Sequence, residues 1–355
     1  MSKKLKIGII GLGSISDLHI NSYLNNPKAE LYAFCDIIGD RAREKAKLYN
    51  VAHVFTDYKK MLELPELDAV SICTWNEQHA PCTIAALNAG KNVLCEKPTA
   101  MSVDEAIEMK KAADKNNKLL MIGFVKRYGN DCEALKKFID QDFLGDIYYA
   151  KAVYLRKIGN PGGWFGNKSL SGGGPLIDLG VHFIDLIKYV IGNPKAVSVY
   201  GATFDKLGNR NNIKGKKIYK SASATDNDIC DVEDLASAMI RFDNGAVLHI
   251  ETSFSLHTKE AKGEMELFGT KGGAKLDSTL KLYTEMNDYM TDIALDVDSI
   301  ADLEGAFQAE IDHFISCMTD NTICKSPIED GVDIMKILDA VYKSAKSGHE
   351  VVLEG

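Results

Sequence analysis

The chain has 355 residues, is 45% hydrophobic and 26% charged, and carries a net charge of −8 at pH 7. That length suits two domains rather than one. The acidic balance excludes nucleic acid as the main partner, because no basic field is available to displace counterions. No run approaches the roughly 18 apolar residues that a membrane helix needs, and the charged opening passes directly into a strand pattern without a signal-peptide core, so a cytoplasmic location is expected.

In the first third, Lys6-Ile-Gly-Ile-Ile10 reads as a buried strand. It runs into Gly11-Leu-Gly-Ser14-Ile15-Ser16 and then a helical stretch to about Asn25. Strand, glycine-rich turn and helix are the setting in which Gly-x-Gly-x-x-Gly signals dinucleotide binding. Gly11 permits the tight turn, and Gly13 lets the backbone approach a pyrophosphate at the helix N-terminus. Ser16 stands at the third glycine position and is small enough for close packing. A second strand, Glu30–Cys35, ends at Asp36, about 20 residues on, where a carboxylate takes the ribose hydroxyls of NAD. It would repel the 2′-phosphate of NADP. Arg41 and Arg43 can offset that repulsion, so NAD is predicted and NADP kept as the alternative.

Strands at 68–73, 90–95 and 118–123 alternate with helices at 77–89 and 102–116, the second opened by a Ser102/Glu105 capping box. This alternation predicts a parallel, doubly wound sheet, with ligands beyond the carboxyl ends of its strands. Thr74, Asn76 and His79 follow one strand, and Glu96-Lys97-Pro98 follows another. An ammonium such as Lys97 beside a nicotinamide can hold and polarise a substrate hydroxyl or carbonyl.

After Lys126 the alternation stops. A helix at 130–139 and a long strand at 146–155 precede the loop 159–163 with Trp164 and Phe165, an aromatic pair that either stacks on a sugar or anchors the loop. Next comes Ser171-Gly-Gly-Gly-Pro-Leu-Ile-Asp178-Leu-Gly-Val-His182-Phe-Ile-Asp185. Leu176, Leu179, Phe183 and Leu186 fall at helical spacing, and Asp178 and His182 lie one turn apart on one face, with Asp185 beyond. A carboxylate next to an imidazole is a proton-transfer arrangement. The partner of His182 is left among Asp178, Asp185 and the substrate, and the glycines are read as a close backbone approach to cofactor and substrate.

Strands at 196–204, 234–242, 246–254 and 264–269, with the turn Asp243-Asn-Gly245, predict a mostly antiparallel sheet. The stretch 209–227, with Lys214, Lys216, Lys217 and Lys220, reads as a solvated loop. The acids Asp226, Asp228, Asp231, Glu233 and Asp234 read as turn and surface chemistry. Two amphipathic helices, near 303–317 and 329–345, close the chain. Eight cysteines are present, none in a Cys-x-x-Cys pair. They are expected as reduced small hydrophobes, and their spacing argues against zinc, so no metal is predicted.

Gly11-Leu-Gly-Ser, Glu96-Lys97-Pro98 and the Asp178-x-x-x-His182-x-x-Asp185 motif together resemble the Gfo/Idh/MocA oxidoreductases, the relatives of glucose–fructose oxidoreductase and inositol dehydrogenase. The resemblance extends through Gly123–Tyr128 and Val232–Ala236, so it covers nearly the whole chain. It implies an α/β Rossmann domain (1–125) and an α+β domain with a large, mostly antiparallel open sheet (126–328) for substrate and oligomerisation. A C-terminal helix and strand (329–355) would pack back on the Rossmann domain. It further implies NAD(P)-linked hydride transfer at a carbinol of a sugar, cyclitol or related polyol, in a homodimer or homotetramer built through the second sheet. By resemblance Lys97, Asp178 and His182 are the catalytic set. Asn76 and His79 lie near the cofactor, along with Gly11, Gly13, Ser14, Ile15, Asp36, Arg41, Thr74, Glu96 and Lys97. The substrate set is Lys97, Arg127, Trp164, Asp178 and His182. Two readings compete with a dehydrogenase: an NAD-dependent glycosidase that oxidises its sugar transiently, and a non-catalytic dinucleotide sensor.

Overall fold

The computed structural model describes residues 4–210, 212–215, 219–295 and 302–353. Lys216 and Lys217 of the basic loop lie outside them. The chain separates into two compact units. One comprises the residues up to Val125 together with Glu304–Val332; the other comprises Lys126–Leu303 and the residues from Asp333 on.

In chain order the first unit begins β1 (Leu5–Ile10), α1 (Ser14–Asn25), β2 (Ala29–Cys35), α2 (Gly39–Tyr49), β3 (His53–Phe55), α3 (Tyr58–Leu62), β4 (Ala69–Ile72), α4 (His79–Asn88), β5 (Asn92–Glu96), α5 (Val103–Asn116) and β6 (Leu120–Gly123). Its strands form a parallel sheet in the order β3-β2-β1-β4-β5-β6. The order reverses between β1 and β4, so the crevice beyond β1 is where a doubly wound sheet takes a ligand. The interior is apolar from end to end: Ile7, Ile9, Val70, Ile72, Val93 and Leu94 are fully buried. Such runs are what a sheet covered on both faces requires. Ser102 caps α5, accepting the Glu105 N–H at 3.2 Å, and Glu105 reaches back to the Met101 N–H.

The second unit holds α6 (Asn130–Asp140), β7 (Ile147–Leu155), the short α7 (Lys168–Ser171), α8 (Val181–Val190), β8 (Ala196–Phe204), β9 (Leu235–Phe242), β10 (Val247–Ser253), β11 (Lys262–Gly269), β12 (Gly272–Leu276), β13 (Leu280–Met286) and β14 (Tyr289–Ala294). The last helices are α9 (Leu303–Thr319) and α10 (Ile328–Ser347), followed by β15 (Val351–Val352). The second sheet runs β14-β13-β12-β11-β7-β10-β9-β8-β15, antiparallel except between β7 and β10. One row of paired residues, Val199, Ile240, Leu248, Ala150, Leu267, Ala274 and Leu282, is buried across the sheet. The adjacent row points the other way and includes the exposed Tyr200 and Met239. The sheet therefore has one covered and one open face, as strand alternation demands.

The chain's end departs from expectation. The start of α10, up to Val332, belongs to the first unit, where Glu329 pairs with Lys110 at 3.0 Å, but the residues from Asp333 on belong to the second: β15 pairs antiparallel with β8, and Ser344 of α10 accepts the Gly201 N–H at 2.9 Å. Helix α9 belongs instead to the first unit. It lays Phe307 against the ring of His19 at 5.4 Å, and Gln308 and Asp312 bond Ser22 and Asn26 of the α1 region. β12–β14 were not expected from the sequence. The turn between β13 and β14 is Asn287-Asp288, both residues at positive φ, a two-residue hairpin signal. Among the described residues no helix is long and apolar enough to cross a membrane.

Candidate active site

At the end of β1, Gly11 adopts φ +86°, and a Cβ there would lie 2.7 Å from the Cys73 backbone. Only glycine fits that turn. Gly13 is the N-cap of α1 and gives its first turn no side-chain cap. A Cβ at Gly13 would meet nothing within 4 Å, so the turn leaves an open cradle at a helix N-terminus. That is the surface a pyrophosphate needs. Ser14 is exposed, and Ile15 packs beside Val125, Ala306 and Phe307. Ser16 is buried, and its hydroxyl donates to the Gly13 carbonyl at 2.6 Å, so it braces the turn that a third glycine would only permit.

Asp36 is buried at the end of β2. Its carboxylate accepts the Leu12 and Ile38 N–H groups, each at 2.8 Å, and the Arg41 guanidinium at 3.2 Å. The acid is thus locked to the glycine turn, and Arg41 is held by it at the same mouth. These residues fit an adenosine ribose with free hydroxyls, and so fit NAD.

After β4, Thr74 is half-buried and Asn76 buried. His79 is also buried, with Nδ1 2.7 Å from the Pro98 carbonyl and Nε2 3.2 Å from the Thr74 carbonyl. Burial pushes its pKa down, so the neutral ring prevails and one nitrogen donates. His79 therefore ties the loop after β4 to the loop after β5.

Glu96 points inward. One oxygen meets His19 Nε2 at 2.9 Å, and the other accepts the Lys97 N–H at 3.1 Å. Burial raises its pKa, but the His19 hydrogen bond and the nearby positive charges outweigh that and hold it below the usual carboxylate range. His19 Nδ1 in turn lies 3.2 Å from the Ser71 hydroxyl, which lies 2.8 Å from the Tyr23 hydroxyl. The chain Tyr23–Ser71–His19–Glu96 is buried beneath the Lys97 backbone. Glu96, expected at the cofactor, is a support for Lys97. Lys97 itself is half-buried.

In the second unit the helix expected from Pro175 begins differently. Leu176–Gly180 forms a π-type turn, with the Val181 N–H donating to the Leu176 carbonyl, and regular α8 starts only at Val181. Asp178 sits in the wide turn and His182 in the first α-turn, both half-buried. Wide turns of this kind concentrate at functional sites. Leu176, Leu179, Phe183 and Leu186 are buried, as their spacing predicts.

Glu233, expected as surface chemistry within the Val232–Ala236 stretch, instead organises this turn. It is buried, and its two oxygens accept the Gly174 N–H at 2.9 Å, the Leu176 N–H at 3.2 Å and the Tyr342 hydroxyl at 2.9 Å. Burial raises its pKa, partly countered by those bonds. The glycine run has its reason here. A Cβ on Gly173 would collide with the Tyr342 hydroxyl, and one on Gly174 with the Glu233 carbonyl. The close approach seen here is to Tyr342 and Glu233 in the protein's own interior. Replacing Glu233 with alanine would strand two buried N–H groups, each costing about 1–3 kcal/mol. Glu233→Ala is expected to lower the denaturant midpoint by the equivalent of about 2–4 kcal/mol, and Glu233→Gln by less, since one acceptor oxygen remains. An unchanged midpoint in the alanine variant would remove Glu233 from this role.

Arg127 is buried. Its buried guanidinium grips Asp185 with Nε at 3.0 Å from one oxygen and Nη2 at 2.6 Å from the other, and it stacks 4.7 Å from the Tyr189 ring centroid. Buried ions persist only when paired in this way. Asp185 thus pairs with Arg127. Trp164 stacks on Phe165 with centroids 4.0 Å apart, and Phe165 meets Tyr219 edge-on. The acids that follow are largely turn chemistry: Asp228 takes the Thr225 hydroxyl and the Gly163 N–H, and Asp231 takes the Lys168 N–H. Glu233 and Asp234 are the buried exceptions.

A Rossmann unit with an open glycine cradle and a buried acid at the end of β2 has the build of a dinucleotide-binding unit. The family models agree. "Oxidoreductase family, NAD-binding Rossmann fold" matches residues 5–124, and "GFO/IDH/MocA C-terminal domain" matches 132–275. The chain is 35% identical to D-glucoside 3-dehydrogenase of Escherichia coli K12 over 99% of its own length and 98% of that protein. It is 29% identical to levoglucosan dehydrogenase of Pseudarthrobacter phenanthrenivorans over 76% of its length and 73% of that protein. A solved levoglucosan dehydrogenase in complex with NADH and L-sorbose superposes with TM-score 0.86 at 24% identity, covering 99% of each chain. The chain belongs to the Gfo/Idh/MocA oxidoreductase family and is an NAD-linked dehydrogenase.

Proposed function

We propose that this enzyme oxidises a ring carbinol of a sugar, glycoside or cyclitol, with His182 as the acid–base group. The observation that carries this reading is the Asp178/His182 pair on a buttressed π-turn of the second unit; within the first unit, Lys97 is set by its own Glu96–His19 support. The full-length similarity to a protein named D-glucoside 3-dehydrogenase supports the substrate class. Gly11, Gly13, Ser14 and Asp36 would hold NAD, which when bound supplies the hydride acceptor.

The chain's own residues then have distinct tasks. His182 takes the hydroxyl proton on oxidation and returns it on reduction. Lys97 steadies the oxygen as it gains negative charge. Asp178 orients the imidazole or a substrate hydroxyl, and Trp164 offers an aromatic face to the sugar ring. The test is NADH formation across a panel of free polyols, aldoses and methyl glycosides. Turnover restricted to pyranosides or cyclitols supports the reading, and turnover only of acyclic alcohols or of none would reject it.

The open sheet face, with Tyr200 and Met239 exposed, is proposed as the contact for a homodimer or homotetramer. Met239→Asp is expected to shift the sedimentation profile toward monomer. An unchanged oligomer would exclude this face, and a wild-type monomer would exclude the assembly.

A further inference from the structure

Three further side chains of the first unit converge and take no part in the chemistry proposed above. His313 and Cys317 sit one turn apart on α9, and Cys324 follows in the segment leading to α10. A ring nitrogen of His313 and the two sulfurs all lie within 4.8 Å of one another. His313 Nε2 is 3.4 Å from the Cys317 sulfur. Donor atoms around a tetrahedral zinc ion, with Zn–S near 2.3 Å and Zn–N near 2.0 Å, stand about 3.5–3.8 Å apart. The cluster is therefore close to the size of a coordination shell.

We propose that His313, Cys317 and Cys324 form a binding site for a thiophilic metal ion of the zinc class. The spacing in sequence hid it, because the ligands come from a helix turn and a loop seven residues later rather than from a Cys-x-x-Cys pair. His313 is buried while both cysteines are only half-buried, so an ion has a route in. Binding leaves two thiolates and a neutral imidazole on the ion, with any remaining thiol proton passing to solvent and the fourth position taken by water. His313 Nε2 now accepts the Lys325 N–H at 2.9 Å, and the ion takes over that lone pair. Lys325 directly follows Cys324, so its N–H can turn to a cysteine sulfur, the hydrogen bond that metal thiolates attract.

The expected role is structural. The segment just beyond the cluster runs along the first sheet: Ser326 accepts the Ile122 N–H at 2.9 Å, and Pro327 bridges to Met121. An ion would staple the end of α9 to the strand-like segment beside β6.

The test uses the full-length enzyme, reduced and freed of metal, titrated with cobalt(II). One ion per chain should bind, with intense thiolate-to-cobalt absorption. That absorption should be lost in Cys317→Ser and in Cys324→Ser and weakened in His313→Gln. NADH binding, measured by fluorescence, should be the same in all four proteins and so serves as the folding control. Zinc should raise the thermal midpoint of the wild type by several degrees and leave that of the serine variants unmoved. The proposal is overturned if reduced wild-type protein takes up no cobalt, or if the absorption survives both serine substitutions. It is equally overturned if the cysteines are found as a disulfide and bind no metal after reduction.

Discussion

His182→Ala is expected to lower kcat for the native carbinol by about 10²–10⁴-fold, the usual loss when an acid–base group is removed. Lys97→Met should cost about 10²–10³-fold, the scale of losing one donor to a developing oxyanion. NADH affinity should change little in either variant. The distinction lies in the pH profile: the limb belonging to proton transfer should vanish without His182 and persist without Lys97. The support beneath Lys97 gives an independent check. His19→Ala removes the partner of Glu96 Oε1 without touching the lysine side chain, and a smaller fall in kcat with an unaltered pH profile is expected. Activity of His182→Ala within a few-fold of wild type would end its assignment as the proton carrier.

The second large effect concerns cofactor choice. Asp36→Ala should lower kcat/KM for NAD by about 10-fold or more, since a charge-assisted hydrogen bond to the ribose contributes about 1.5–3 kcal/mol. It should also raise kcat/KM for NADP. The reason is local: Arg41 is held 3.2 Å from the Asp36 carboxylate, and deleting the acid leaves that guanidinium for a 2′-phosphate. Adding Arg41→Ala should cancel the gain for NADP but not the loss for NAD. Wild-type enzyme with a higher kcat/KM for NADP than for NAD would contradict the role given to Asp36.

What the sequence carried was whatever is encoded within one or two elements. Alternating apolar runs and amphipathic stretches gave the parallel sheet, the turn at Gly11 and the acid at Asp36. The Asp243-Asn-Gly245 turn gave the β9–β10 hairpin, and the stripe from Leu176 to Leu186 gave the buried face of α8. What escaped depends on distant partners. Glu233 meets Gly174 across 59 positions, Arg127 meets Asp185 across 58, and His19 meets Glu96 across 77. A local pattern cannot report these, so Arg127 and Glu96 looked like ligand contacts when their charges are engaged by the protein itself. The glycines of 172–174 were recognised as a close approach, but the neighbour was not. Likewise the π-turn at Leu176 differs from an α-turn by one backbone bond, which apolar spacing does not resolve. His79 looked like a cofactor contact because it follows a strand end, and its two carbonyl partners belong to separate loops.

The most direct test of the account follows NADH absorbance while the enzyme is incubated with NAD and a series of methyl glucosides and inositols, with glycoside cleavage followed in the same samples. The account predicts that NADH accumulates in proportion to a keto-sugar or keto-cyclitol product, that the glycosidic bond stays intact, and that His182→Ala abolishes the signal. Glycoside cleavage with no net NADH, or no reduction of NAD by any ring carbinol, would contradict it.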